Sequence, residues 1–132
     1  MAVKKAKARK FDPEAFKEEL RQHALRYPEV HEDYPWGELA IKVKGKAFIF
    51  MRAEADTVSL SVKLPQSRDM ANDLPFAEPT HYGLGKHGWV TAKITAKEAG
   101  ETLEMLKAWI DESFRAVAPK SIVKKLTAPA LG

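Results

Sequence analysis

The chain of 132 residues contains no cysteine. Disulfide bonds, thiolate nucleophiles and sulfur-based zinc sites are therefore excluded, and a reducing cytoplasm is the compartment that this composition favours. Long apolar runs are also missing, since the longest, residues 47–51, is far shorter than the ~20 residues that span a bilayer. The basic start lacks the apolar stretch of a secretory signal. We expect neither a membrane span nor export.

Acidic residues are missing from the start of the chain, although the net charge of the whole is only +4. Residues 1–10 carry five basic side chains and no acid, which leaves 17 basic and 18 acidic residues in the remainder. We predict a basic disordered tail over residues 1–10, a single domain over 11–119 and a basic C-terminal segment over 120–132. Such a tail either adds phosphate contacts or only improves solubility.

Three segments have helical signals. Asp12 followed by Pro13 is typical of a helix start, and the apolar face that follows extends to Tyr27. Pro65 opens a short second helix. Thr95 and Glu98 have the spacing of a capping box before a long apolar stripe that ends at Pro119. We therefore predict three helices.

Strand signals lie between these helices. Residues 39–63 alternate with a period of two and predict three antiparallel strands, the first two joined by a turn at Gly45 and Lys46. A further strand begins at Trp89, and residues 76–82 allow a short edge strand. Residues 31–38 are too rich in proline, glycine and acids for regular structure. The fold prediction is α+β, an antiparallel sheet of about five strands with helices packed on one face, in the order α-β-β-β-α-β(-β)-α.

Residues 83–90 form the least generic segment. Gly83, Gly85 and Gly88 match the letters of the dinucleotide fingerprint, but a strand follows where that motif requires a helix. We therefore interpret the glycines as residues that permit positive φ in a turn. The tip of this turn presents Lys86 and His87, donors that suit an anionic ligand.

Signals of catalysis are weak. The histidines are not spaced i, i+4 as in a helical metal pair, and no serine lies in a G-x-S-x-G elbow. The cluster of His31, Glu32 and Asp33 offers metal ligands, although such acids usually remain solvated or cap helices. We expect no metal, no cofactor and no enzymatic activity.

Cations occupy the outward positions of the predicted sheet: Lys42, Lys44, Lys46, Lys63, Lys86, His87 and Lys93. Basic faces of this kind follow the DNA backbone or enter a groove. The alternative is that lysines near sheet edges only discourage aggregation. Trp36 and Trp89 either stack on bases or pack against the sheet.

Five segments of the chain together form a distinctive pattern: Glu32, Tyr34, Pro35, Trp36 and Gly37, the hairpin 42–50, the strand 60–64 followed by Pro65, the tip with Lys86, His87 and Trp89, and the pair Ser113 and Phe114. In their order, these segments resemble the MmcQ/YjbR family of small bacterial proteins. The similarity covers residues of about 12 to 120. It implies a compact α+β domain comparable with a double-wing DNA-binding module, and a DNA-binding role.

The leading hypothesis is a non-enzymatic, monomeric DNA-binding domain. The lysine-bearing sheet face and the glycine-rich turn would contact duplex phosphates, assisted by the N-terminal tail. One alternative is a module that binds a partner protein through the sheet. Another is a small-molecule binder with a cleft between residues 31–37 and the tip, where Glu32, Lys63, Lys86 and His87 would converge.

Overall fold

The computed structural model describes residues 11–35 and 38–131, with side chains up to Leu126. The helices are α1 (Pro13–Ala24), α2 (Arg68–Asn72), α3 (Ala96–Val117) and α4 (Lys120–Leu131), and a 3-10 helix covers Leu84–His87. The strands are β1 (Val30–Asp33), β2 (Leu39–Val43), β3 (Lys46–Glu54), β4 (Thr57–Lys63), β5 (Ala77–Pro79) and β6 (Trp89–Ile94). The predicted α+β class is confirmed.

The strands form one antiparallel sheet in the order β1-β2-β3-β4-β6-β5. The sheet has six strands in the described part of the chain because Val30–Asp33 adds an edge strand that pairs with β2. The prediction of irregular structure for residues 31–33 was therefore wrong. The backbone of β2 supplies the hydrogen bonds that the acidic local sequence did not suggest, and an edge position tolerates charged side chains.

The turn between β2 and β3 consists of Lys44 and Gly45, one residue earlier than predicted. Their φ angles are +51° and +78°, and Val43 pairs with Lys46 across the strands. Positive φ at both central residues of a two-residue loop is the type I′ geometry, which matches the twist of a hairpin. Lys46 is therefore the first residue of β3.

Helices α1 and α3 pack on one face of the sheet, where the apolar residues of the strands form the core with Leu20, Leu106 and Ile110. Tyr27 stacks on Phe114 at a centroid distance of 4.7 Å, and Phe114 meets the ring of Phe48 at 5.2 Å. These rings lie where α1 ends and the C-terminal part of α3 crosses β3. They fix both helices relative to the strands.

Two of the three predicted helix starts are confirmed, while the second helix begins at Arg68 rather than at Pro65. Asp12 accepts a hydrogen bond from the backbone N–H of Ala15 at 3.1 Å. Thr95 and Glu98 form the capping box at the start of α3. The backbone N–H of Thr95 lowers the pKa of Glu98 by hydrogen bonding to its carboxylate.

Helix α4 follows Pro119 and was not predicted from the sequence. Its Ile122 is only 2% exposed and joins the core, with Val123 and Leu126 packed at the margin. Within the described residues, none of these helices has both the length and the apolar character needed to cross a bilayer. The predicted tail 1–10 lies outside the described residues.

Candidate nucleic-acid interface

The strand register brings several cations to one end of the sheet. Strands β2 and β4 end there, while β3 and β6 begin there, because neighbouring strands are antiparallel. We call this region the basic end, and it consists of Lys44, Lys46, Lys63, Arg68, Lys86 and His87. The distance from β2 to β6 is three strand spacings, or about 15 Å. Five of the seven predicted cations therefore share one end of the fold.

Lys63 is held at the basic end by a contact from α3. Its backbone N–H donates to Oγ of Ser113 at 2.8 Å, and the same hydroxyl donates to the carbonyl oxygen of Phe48 at 2.6 Å. On the other side, Lys63 pairs with Trp89. The position of this lysine is thus determined by backbone contacts on both sides.

The glycine-rich turn is anchored beside Lys63. Gly83 and Gly88 flank the 3-10 helix with φ of +80° and +93°, so the predicted need for positive φ is confirmed at these two positions. The same prediction was wrong for Gly85, where a side chain is excluded because an added Cβ would lie 2.7 Å from Cβ of Pro79. The backbone N–H of Leu64 donates to the carbonyl oxygen of Gly88 at 2.8 Å. Lys86 and His87 are exposed on this short helix.

Arg68 was missed by the sequence analysis. It lies in the first turn of α2, is exposed, and its Nη1 lies 3.5 Å from the carbonyl oxygen of Lys86. The only local feature that could have indicated its position near the basic end was its place three residues after Pro65. Its closeness to Lys86 depends on the connection through residues 73–85, which local patterns do not reveal.

One carboxylate at the basic end serves two lysines. Glu29 contacts Nζ of Lys44 at 3.3 Å and Nζ of Lys125 at 2.5 Å. The hydrogen bond from Lys125, followed by that from Lys44, lowers the pKa of Glu29. Because two lysines share one carboxylate, Lys44, Lys125 and Glu29 together carry one net positive charge.

Lys42 and Lys93 each contact a carboxylate, as Lys44 and Arg68 of the basic end also do. Lys42 donates to Asp33 at 2.8 Å, a hydrogen bond that lowers the pKa of Asp33. Lys93 lies 3.4 Å from Glu78. Both predicted lysines therefore contact a carboxylate, and Glu78 also lies 3.6 Å from Nε2 of His81.

The other end of the sheet is rich in acids. Glu38 precedes β2, Glu54 and Asp56 lie at the connection of β3 and β4, and Glu98 caps α3. Carboxylates near the N-terminus of α3 also suit its helix dipole. These acids and the six cations of the basic end thus lie at opposite ends of the sheet. The separation of charge is partial, since Glu29 and Asp69 contact cations of the basic end and Arg52 contacts Glu54 at the other end.

The structure does not form the predicted cleft of Glu32, Lys63 and Lys86. Glu32 pairs with core residue Ile41 in the register and accepts a hydrogen bond from Nη2 of Arg21 at 3.1 Å, so it lies on the helix-covered face. This bond raises the pKa of Arg21. Lys63 pairs with Trp89 on the opposite face, and the two side chains are separated by the sheet.

The metal alternative at His31, Glu32 and Asp33 also fails on geometry. Because these residues form a strand, Glu32 points to the opposite face from its two neighbours. Across residues 11–35 and 38–131, no group of three histidine or acidic side chains is arranged to hold a metal ion.

Trp89 packs against the sheet. It is 8% exposed, and its ring lies 5.6 Å from that of Phe50 between centroids. Of the two alternatives for this residue, the structure shows packing. Trp36, the other candidate for base stacking, lies outside the described residues.

Comparison with known protein families gives a match to a family described as YjbR, over residues 25–116. This range is more than two thirds of the chain and contains every strand of the sheet, the glycine-rich turn and most of α3. A comparison with curated proteins finds no match. The matched range includes all six residues of the basic end.

Proposed function

The chain belongs to the YjbR family, and from this premise and the charge distribution of the sheet we propose that it is a non-enzymatic protein that binds duplex DNA through the basic end. The observation that carries the proposal is the placement of Lys46, Lys63 and Lys86 on three neighbouring strands and turns at one end of the fold. Phosphates provide most of the affinity in such a contact.

The dimensions agree with a phosphate contact. The basic end extends over about 15 Å, which is comparable with the ~12 Å width of the DNA major groove. Lysines at the hairpin turn and at the glycine-rich turn would then reach phosphates on the two sides of the groove. The flexible stems of these lysines adapt to small differences in phosphate position.

Sequence specificity should be low. Base edges are usually recognised by Arg, Asn or Gln in bidentate contacts, and the basic end offers only Arg68 of these types. The carbonyl oxygen of Lys86 lies 3.5 Å from its Nη1. We therefore propose that the protein contacts the sugar-phosphate backbone of DNA and binds duplexes of different sequence with nearly equal affinity.

The ion pairs of the basic end do not oppose this role. The pair of Lys44 with Glu29 is exposed to solvent, and exposed pairs contribute little to stability. A phosphate replaces such a partner at small cost. The proposal also includes the basic tail 1–10 as an additional phosphate contact, and a monomer that acts in the cytoplasm.

Charge reversal at two ends of the fold tests the proposal. Lys46→Glu with Lys86→Glu removes two cations from the basic end, while Lys17→Glu with Lys97→Glu makes the same change of charge on α1 and at the start of α3. We expect the first variant to bind a short duplex at least about tenfold more weakly at low salt, as measured by fluorescence anisotropy. The second should bind as the unmodified protein does.

Equal losses in the two variants, or no binding of duplex by the unmodified protein at low salt, would overturn the proposal. A protein partner is the alternative. A stoichiometric partner that is recovered after nuclease treatment, and that still binds the Lys46→Glu, Lys86→Glu variant, would favour this alternative.

A further inference from the structure

The face of the sheet that α1 and α3 leave open carries a concave surface of about 440 Å³. Its floor is formed by β3, β4 and β6, and its wall by Thr80, His81, Tyr82 and Leu84 after β5. We call it the open-face pocket. It is separate from the basic end, and apart from Lys93 it contains none of the cations singled out in the sequence. Its volume lies within the ~300–1,000 Å³ range of small-molecule sites.

Two cations and a hydroxyl form a row across its floor. Arg52 pairs with Ser59, and Ser59 pairs with Lys93, so the three side chains point to the same face of adjacent strands. The row spans two strand spacings, or about 10 Å. A carboxylate or phosphate above Ser59 would lie between a guanidinium and an ammonium group, with a hydroxyl donor beneath it.

The carboxylates that contact Arg52 and Lys93 do not prevent these two side chains from binding a ligand. The side chains of Arg52 and Lys93 are each 57% exposed, and Arg52 contacts Glu54, which is 74% exposed, at 3.5 Å. Glu78 contacts Lys93 at 3.4 Å. Ion pairs this exposed are weak, and an anion from a ligand can replace the carboxylates.

The next row of the floor offers an aromatic surface and hydroxyls. Phe50 pairs with Ser61, which pairs with Thr91. Oγ of Ser61 lies 2.7 Å from Oγ1 of Thr91, which lies 2.9 Å from Oγ1 of Thr80. The three hydroxyl groups carry three protons, and the two contacts between them use two. One hydroxyl can therefore donate a hydrogen bond to a ligand. The ring of Phe50 is supported from one side by Trp89.

We propose that the open-face pocket binds a small molecule in which a flat ring carries one anionic group. The anion lies on Arg52, Ser59 and Lys93, and the ring lies against Phe50 beside the hydroxyl row. Glu38 and Glu78 on the rim accept hydrogen bonds from amino groups of the ring and repel ligands with several negative charges. Nucleoside monophosphates and aromatic carboxylates share this chemistry, and the site is independent of the DNA-binding proposal.

NMR titration of the ¹⁵N-labelled protein tests the inference. The probes are adenosine 5′-monophosphate, 4-hydroxybenzoate, inorganic phosphate, adenosine and adenosine triphosphate. We expect saturable shifts of the amides of Ser59, Thr91 and Lys93 with one of the first two probes. Phosphate alone, adenosine alone and the triphosphate should each bind at least about fivefold more weakly, because each lacks a feature of the proposed ligand or carries excess charge.

Matched variants complete the test. Arg52→Gln and Lys93→Gln should each weaken binding of the best probe at least about fivefold, while Lys97→Gln, which removes a lysine outside the pocket, should leave binding unchanged. Absence of saturable shifts at the open-face amides, or equal binding by Arg52→Gln and Lys97→Gln, would overturn the inference. Shifts confined to Lys46, Lys63 and Lys86 would assign the anion to the basic end and also overturn it. Loss of DNA binding alone would not affect it.

Discussion

The side-chain oxygen of Ser113 lies 2.6 Å from the carbonyl oxygen of Phe48, so that α3 is hydrogen bonded directly to β3. The same oxygen accepts the backbone N–H of Lys63 at 2.8 Å. The register of β3 and β4 starts at Ile49 and Val62, and beyond this pair the hydroxyl of Ser113 connects the two strands. Ser113 of α3 thus provides the hydrogen bonds that connect β3 and β4 beside Lys63.

Ser113→Ala should destabilise the domain. Ser113 is fully buried, and its loss leaves the N–H of Lys63 and the carbonyl of Phe48 without this partner, at a cost of about 2–4 kcal/mol. Urea unfolding measures the change in free energy of unfolding. Ser121→Ala, an exposed serine on α4, is the control and should change it by less than about 0.5 kcal/mol. Similar values for both variants would contradict the bridging role.

Two glycine substitutions should change the free energy of unfolding in opposite directions. Gly88→Ala forces a side chain onto a residue with φ of +93° and should lower the free energy of unfolding by about 1–2 kcal/mol. Gly100 is helical, and an added Cβ meets no atom within 4 Å. Gly100→Ala should therefore raise it by about 0.4–1 kcal/mol. Thermal unfolding of both variants provides the measurement, and a stabilising Gly88→Ala would show that the turn does not require this conformation.

DNA affinity should depend steeply on salt. If Lys46, Lys63, Arg68 and Lys86 each neutralise one phosphate, they should together contribute about −3.6 to the slope of log K against log salt, and phosphate contacts of the tail 1–10 would make the slope steeper. Lys86→Gln should make the slope less steep by about 0.9, and Lys97→Gln should leave it unchanged. Anisotropy titrations between 25 and about 200 mM salt give these slopes. A slope near zero would exclude phosphate contacts as the source of affinity.

Stability should fall as the pH decreases below about 6.5. Burial, aided by Lys107 and Arg26, lowers the pKa of His23, whose Nε2 is buried without a hydrogen-bond partner among the described residues. The unfolded chain therefore binds a proton at a higher pH than the folded chain does. Above about pH 7.5, one unit above the ordinary pKa of histidine, His23 is almost entirely neutral in both forms and contributes almost no pH dependence.

The expected loss is at most about 1.4 kcal/mol per pH unit for this one proton. His23→Leu should flatten the change in melting temperature between pH 7.5 and about pH 5.5, whereas His87→Gln, at an exposed position, should retain it. An unchanged pH dependence in His23→Leu would assign the effect to other groups. The carboxylates with lowered pKa, such as Glu29 and Asp33, act at lower pH.

Local patterns determined much of the fold in advance. The caps at Asp12 and Thr95, the alternation over residues 39–63 and the positive φ at Gly83 and Gly88 were predicted correctly, because each depends on residues close in the chain. Strand β1 was missed because its hydrogen bonds come from β2 rather than from a favourable local sequence. Helix α4 was missed because Ile122 gains its burial from the core.

The arrangement of the candidate site residues could be determined only from the tertiary structure. The sequence by itself determined which residues are cations and which of them alternate to the wet side of a strand. Only the fold decided that Lys42 and Lys93 meet carboxylates, that Lys44 shares Glu29 with a lysine of α4, and that Arg52, Ser59 and Lys93 form a row. These contacts join residues far apart in the chain, and the register that aligns them follows from burial of the whole apolar face.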